Sequence, residues 1–183
     1  MKDQQTDLSP SETAQGAPQW MRWIEDGLDE AADIARQVAE EFYEVVERAN
    51  ERAKQQGGEI NKTSVRVRRR QNSLYIEWIH FYWYRGGDGS LKRTVKSIRK
   101  GKGKHKYPLQ SLIRRSPDPR VQEAIGEAEA QFAVLREQAR SLVEARKALQ
   151  RAEEARSRIA ELASKNGSDD ASNTLELEDD GYE

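Results

Sequence analysis

Cysteine is absent from the 183-residue sequence, which excludes a disulfide framework and every thiolate metal site and fits a reducing cytoplasm. Histidine is nearly absent as well: His80 and His105 are the only two, too few for a clustered histidine metal centre. No run approaches the roughly 18 apolar residues of a membrane span, and the start, MKDQQTDLSPSETAQGAP, has no apolar signal-peptide core. The expectation is a soluble, unprocessed, cytoplasmic chain. Hydrophobic residues make up 36% and charged residues 34%, so a modest core with long solvated helices is expected rather than a sphere.

Acid is scarce in one stretch only. From Lys62 to Arg115 there are 16 lysines and arginines against Glu77 and Asp88, so this block carries about +14 while the rest of the chain carries about −15. The near-neutral total of −1 conceals that separation. Positive charge so concentrated points to a polyanionic partner rather than a small-molecule substrate.

The fold class read from the pattern is α+β: a long helix, a three-stranded antiparallel β-meander and a long C-terminal helix. Residues 1–18 are polar and proline-containing and are expected to stay disordered. A helix over 19–56 follows, because Ile24, Leu28, Ala31, Ala35, Val38, Phe42, Val45 and Ala49 recur at alternating spacings of four and three. Gly57 and Gly58 should end it in the left-handed conformation. The sheet is placed at 63–100 and a loop at 101–117, with at most a helical turn near Leu109 to Arg115. Asp118 caps a second helix over 119–164, with Pro119 at its first position. Its seam is Ile125, Ala128, Phe132, Leu135, Ala139 and Leu142, continued more weakly by Leu149, Ala152, Ile159 and Leu162. The two seams either pack as an antiparallel pair or each contribute to a dimer. Residues 19–165 thus form one domain, and 166–183 an acidic disordered tail that either keeps the chain soluble or competes with DNA for the basic face.

Alternation along strands assigns faces once the turns are given even length. Val65, Val67, Leu74, Ile76, Trp78, His80, Tyr82, Tyr84, Leu91 and Val95 then face the helices, with Arg93 and Arg99 near the edge. The other face gathers Arg66, Arg68, Arg70, Tyr75, Glu77, Ile79, Phe81, Trp83, Arg85, Lys92, Thr94 and Lys96. Cations for phosphates beside rings for stacking or apolar contact are what a nucleic-acid reader needs. The expected duplex contacts are Arg66, Arg68, Arg70, Tyr75, Trp83, Arg85, Lys92, Thr94 and Lys96, with Lys100, Lys102, Lys104 and Lys106 on flanking phosphates. The plainer reading is a solvated sheet on which Glu77 pairs with Arg68 across the strands.

The run RVRRRQNSLYIEW, then YRGGDGSLKR, then GKGKHKYPLQSL, followed by a helix containing QFAVLREQARSL, resembles the MobI-like family of conjugative transfer proteins. That resemblance implies an auxiliary factor acting at the origin of transfer and helping a relaxase engage DNA. More distantly, the block is similar to the arm-type DNA-binding domains of tyrosine recombinases, where three strands precede a Tyr-Pro segment and a helix. No recombinase catalytic domain follows here, so only the binding mode is implied.

Catalytic chemistry is not found. GKGKHK lacks the strand-loop-helix setting and the Ser or Thr that a nucleotide-binding loop requires. Tyr107 before Pro108 reads as turn packing rather than a nucleophile, and His80 as a packed imidazole. The expectation is a non-catalytic protein without metal or cofactor, whose partners are double-stranded DNA, a relaxase and a second copy through the helices. The alternatives are a coiled-coil adaptor whose basic sheet binds an acidic protein, and an RNA-binding protein that stacks bases on Tyr75, Phe81 and Trp83.

Overall fold

The structure, a computed structural model, describes residues 18–101 and 105–170, with side chains through 165. The N-terminal segment expected to be disordered and the end of the acidic tail lie outside the described residues. The chain divides into two compact units, one ending at Val143 and the other beginning at Glu144.

Helix α1 spans Gln19–Gln56 and buries Ile24, Leu28, Ala31, Ala35, Val38, Phe42 and Ala49 of the expected seam, with Ala32 and Ala39 widening the stripe. Val45 of that seam is half-buried. Gly57 closes the helix at φ 67° and ψ 22°, and the Gly58 N–H donates to the Ala53 carbonyl at 2.7 Å. Only glycine adopts that conformation without a steric penalty.

Strands β1 (Thr63–Arg70), β2 (Ser73–Arg85) and β3 (Leu91–Ser97) form an antiparallel sheet in the order β1-β2-β3. The sheet ends three residues before the expected 100, although the Ile98 N–H still bonds the Trp78 carbonyl at 2.8 Å. The strands are strongly staggered. β1 pairs with β2 from Ser73 to His80, whereas β3 pairs with it from Ile79 to Arg85. Only Ile79 and His80 therefore have a strand on both sides, and the stretch from Phe81 onward with β3 is a two-stranded ribbon.

The expected helical turn in the loop is α2, Leu109–Ile113. Helix α3 spans Pro119–Asp170, and the Asp118 carboxylate accepts the Arg120 N–H at 2.7 Å as the cap. It runs past the expected end at 164. Once a helix is nucleated, each further residue adds a hydrogen bond, and a weak former near its end does not stop it.

Of the two helix arrangements left open, the first unit has the antiparallel pair. A Cβ placed on Gly27 would lie 3.2 Å from Leu142 Cδ1, and at the other end Arg52 reaches the Asp118 carboxylate at 3.5 Å. Trp78 from β2 fills the space between the helices, 5.2 Å from the Phe42 ring and 6.0 Å from the Phe132 ring, both nearly edge-on. Such ring pairs contribute about 0.5–1.5 kcal/mol beyond the area they bury. In the second unit every side chain from Lys147 to Lys165 is exposed, including Leu149, Ala152, Ile159 and Leu162 of the weaker seam. Among the described residues, no helix is long and apolar enough to cross a membrane.

Candidate nucleic-acid interface

The open face of the sheet begins with β1. Its inward positions Thr63, Val65 and Val67 pair with His80, Trp78 and Ile76, which turns Arg66, Arg68 and Arg70 to the opposite side. The two-residue turn at Gln71 and Asn72 sets this register as expected. Tyr75, Glu77, Ile79, Phe81, Trp83 and Arg85 share the open face by alternation.

The second turn corrects the rest of the assignment. It holds five residues, Gly86 to Ser90, rather than an even number. Gly86 donates to the Ser90 carbonyl at 2.8 Å, and Gly89 sits at φ 76°. The Ser90 hydroxyl and N–H both donate to the Asp88 carboxylate, at 2.7 and 3.1 Å. An odd loop reverses the parity of β3. Lys92, Thr94 and Lys96 therefore pair with Tyr84, Tyr82 and His80 on the helix side, and Leu91, Arg93 and Val95 join the open face. Arg93, expected near the helix-side edge, is thus on the open face and lies over the Phe81 ring at 4.9 Å. Arg70 similarly covers Tyr75 at 5.4 Å.

Glu77 does more than the plainer reading asked of it. One carboxylate oxygen accepts from Arg66 at 2.9 Å and from Arg68 at 2.7 Å. A single negative charge thus orients two guanidiniums and neutralises one of them. Arg66, Arg68, Arg70, Arg85 and Arg93 against Glu77 leave this face about four charges positive. If the face meets DNA, Glu77→Gln should raise affinity for arbitrary duplex several-fold and steepen its salt dependence by about 0.9. Titration of a labelled duplex at two salt concentrations checks this; unchanged affinity would place the contact elsewhere.

Lys100 rests over the Tyr107 ring at 5.8 Å, held below the usual lysine range by partial burial first and by Arg136 second. Glu77 and Glu129 act in the opposite sense on Lys100, and both also raise Tyr107. Lys106 is exposed, and Lys102 and Lys104 lie outside the described residues.

What anchors the lysine-rich loop escaped the sequence reading. Glu129 and Arg136 on α3 are both buried and paired at 2.6 Å. Glu129 also accepts the Trp78 indole N–H and the Tyr107 backbone N–H, each at 2.7 Å, while Arg136 donates to the His105 carbonyl and lies 4.9 Å from the Tyr107 ring. The signal was their spacing of seven, which puts both charges on the buried stripe around Phe132. Tyr107 is buried in this cluster, and burial pushes its phenol above the usual range. That is the setting of a packed side chain. His80 is also packed, 3.3 Å from the Thr63 hydroxyl. Among the described residues, no cluster of three metal-ligating side chains is present.

The family model described as MobI protein matches residues 31–150, more than half of the chain. The chain belongs to the MobI family. The match runs from within α1 through the whole sheet and the lysine-rich loop into α3, so the part that is MobI contains the complete basic face. Membership gives this MobI chain a role in conjugative mobilization. Among curated proteins and solved structures, nothing matches it.

Proposed function

We propose that this chain is a non-catalytic DNA-binding accessory protein of conjugative transfer that recognises the origin of transfer and helps the relaxase engage it. The observation that carries the reading is the open face itself. Arg66, Arg68, Arg70, Arg85 and Arg93 stand there among Tyr75, Phe81 and Trp83, with Glu77 as the one carboxylate of the three strands on that side. A two-stranded ribbon fits a major groove about 12 Å wide, and the ribbon of β2 and β3 brings Trp83, Arg85 and Arg93 to such a groove. Guanidiniums there take guanine edges by two-point contacts, while the β1 arginines and the lysines of the loop neutralise phosphates. This is the binding mode that the arm-type resemblance implies.

Capture of sheared DNA from a host carrying the mobile element, with tagged protein at near-physiological salt, tests the reading. One enriched non-coding locus beside transfer genes is expected. Uniform recovery would remove origin recognition, and no recovery would remove DNA as the partner. Relaxase assistance is checked separately, by nicking at that locus with and without the protein.

The adaptor reading has one observation in its favour, the exposed Leu149, Ile159 and Leu162 on α3, where a second helix would bury apolar surface. Duplex competitor discriminates, because an adaptor holding an acidic protein keeps that partner at modest DNA concentrations.

A further inference from the structure

The reversed parity of β3 creates a second surface on the other side of the ribbon. Toward the first half of β2, this side is covered by α1, whose Phe42 meets Trp78. The cover ends near His80, and beyond it Tyr82 and Tyr84 are 37% and 52% exposed. They are two residues apart on one strand, so the two positions are about 6.8 Å apart along it. Thr94 and Lys92 lie opposite them, and Lys96 lies opposite His80.

The surroundings are cationic. Lys96 Nζ is 5.1 Å from the Tyr82 ring centre, and His80 meets the same ring at 4.7 Å with its plane tilted by 64°. Arg115 and Lys62 are close enough to act on His80, which burial first and these two charges next hold below the usual histidine range. Two acids pair with these cations, Asp88 in the turn with Lys92 at 3.2 Å and Glu59 with Lys62 at 3.6 Å. Two exposed phenol rings in register, flanked by cations, have the composition of a stacking platform for unpaired bases.

We propose that the helix-side face of the ribbon, formed by Tyr82, Tyr84, Lys92 and Lys96, binds single-stranded nucleic acid. The spacing of the two positions along the strand suits successive bases of an extended strand better than the closed stack of a duplex. Lys96 is a flexible side chain, so a base displaces it from the Tyr82 ring and its ammonium moves to the adjoining phosphate. Lys92 exchanges Asp88 for the next phosphate. This surface shares no residue with the arginine face, and so stands independently of the duplex reading. A chain with both would hold a duplex on one side of a ribbon and an unpaired strand on the other.

The test is fluorescence anisotropy of labelled oligothymidylate and oligouridylate with the full chain and three variants. Tyr82→Ala with Tyr84→Ala should weaken single-strand binding by about tenfold or more, because each base-ring stack disappears with its tyrosine. Tyr82→Phe with Tyr84→Phe retains the rings and should bind nearly as the wild type does. Arg68→Ala with Arg70→Ala should weaken duplex binding and spare the single strand. Tighter binding of thymidylate supports the proposal with DNA as the ligand, and tighter binding of uridylate supports it with RNA. No binding of either, equal loss in the phenylalanine pair, or indifference to removal of both rings would overturn it while leaving duplex binding to be judged on its own.

Discussion

Replacing Glu129 with alanine should destabilise the protein by about 3–5 kcal/mol, the cost of leaving one partner of a buried ion pair alone. The Arg136 side chain is only 4% exposed and would retain its charge without a counterion. The Trp78 indole N–H and the Tyr107 backbone N–H would lose their acceptor at the same time. The damage should spread to function, since Tyr107 and the His105 carbonyl tie the end of the lysine-rich loop to α3 through these two side chains. Denaturant unfolding measures the effect. A loss below about 1 kcal/mol, typical of an exposed pair, would mean that water reaches the cluster. Glu129→Gln retains an acceptor for one N–H and removes the charge, so it should fall between wild type and alanine.

Arg68→Ala with Arg70→Ala should reduce the salt dependence of duplex binding by about two, one for each phosphate no longer neutralised, and weaken binding by about one to two decades. The two arginines differ in their settings, which gives the prediction an internal check. Arg68 shares the Glu77 carboxylate with Arg66, whereas Arg70 lies over Tyr75. Arg70→Ala alone removes one cation cleanly. Arg68→Ala also returns more of the Glu77 charge to Arg66, so the face loses one charge and some of its fixed geometry. Binding at several salt concentrations separates the effects, and an unchanged slope in the double variant would remove β1 from the interface.

The helices were legible because their apolar spacing is regular and their ends carry strong signals. Gly57 stops α1 and Asp118 with Pro119 starts α3 by local chemistry that tertiary packing does not override. Arg66, Arg68 and Arg70 fall on the expected face for a similarly local reason, the two-residue turn at Gln71 and Asn72. The β3 assignment failed on a single residue. Gly86 to Gly89 look like a complete turn, yet Ser90 is held inside it by Asp88 and Gly86, and one extra residue sends every following side chain to the other face. Glu129 and Arg136 were hidden for a different reason: charges on a long polar helix resemble a solvated face. The partners that bury them, Trp78 and Tyr107, come from distant parts of the chain. The stagger of the strands depends on where pairing stops, which no alternation pattern encodes.

That stagger separates two demands that most binding sheets must satisfy with the same residues. Trp78 and its neighbours on the shared part of β2 are fixed by the aromatic packing between the helices, and a change there costs stability. The ribbon from Phe81 to Val95 has no third strand, and Tyr82, Trp83, Tyr84, Leu91 and Val95 are all more than one-third exposed. Substitutions on it escape the packing penalty of a core. Side chains along the ribbon can therefore change while the scaffold stays intact, so whatever the ribbon recognises is free to change without a cost in folding.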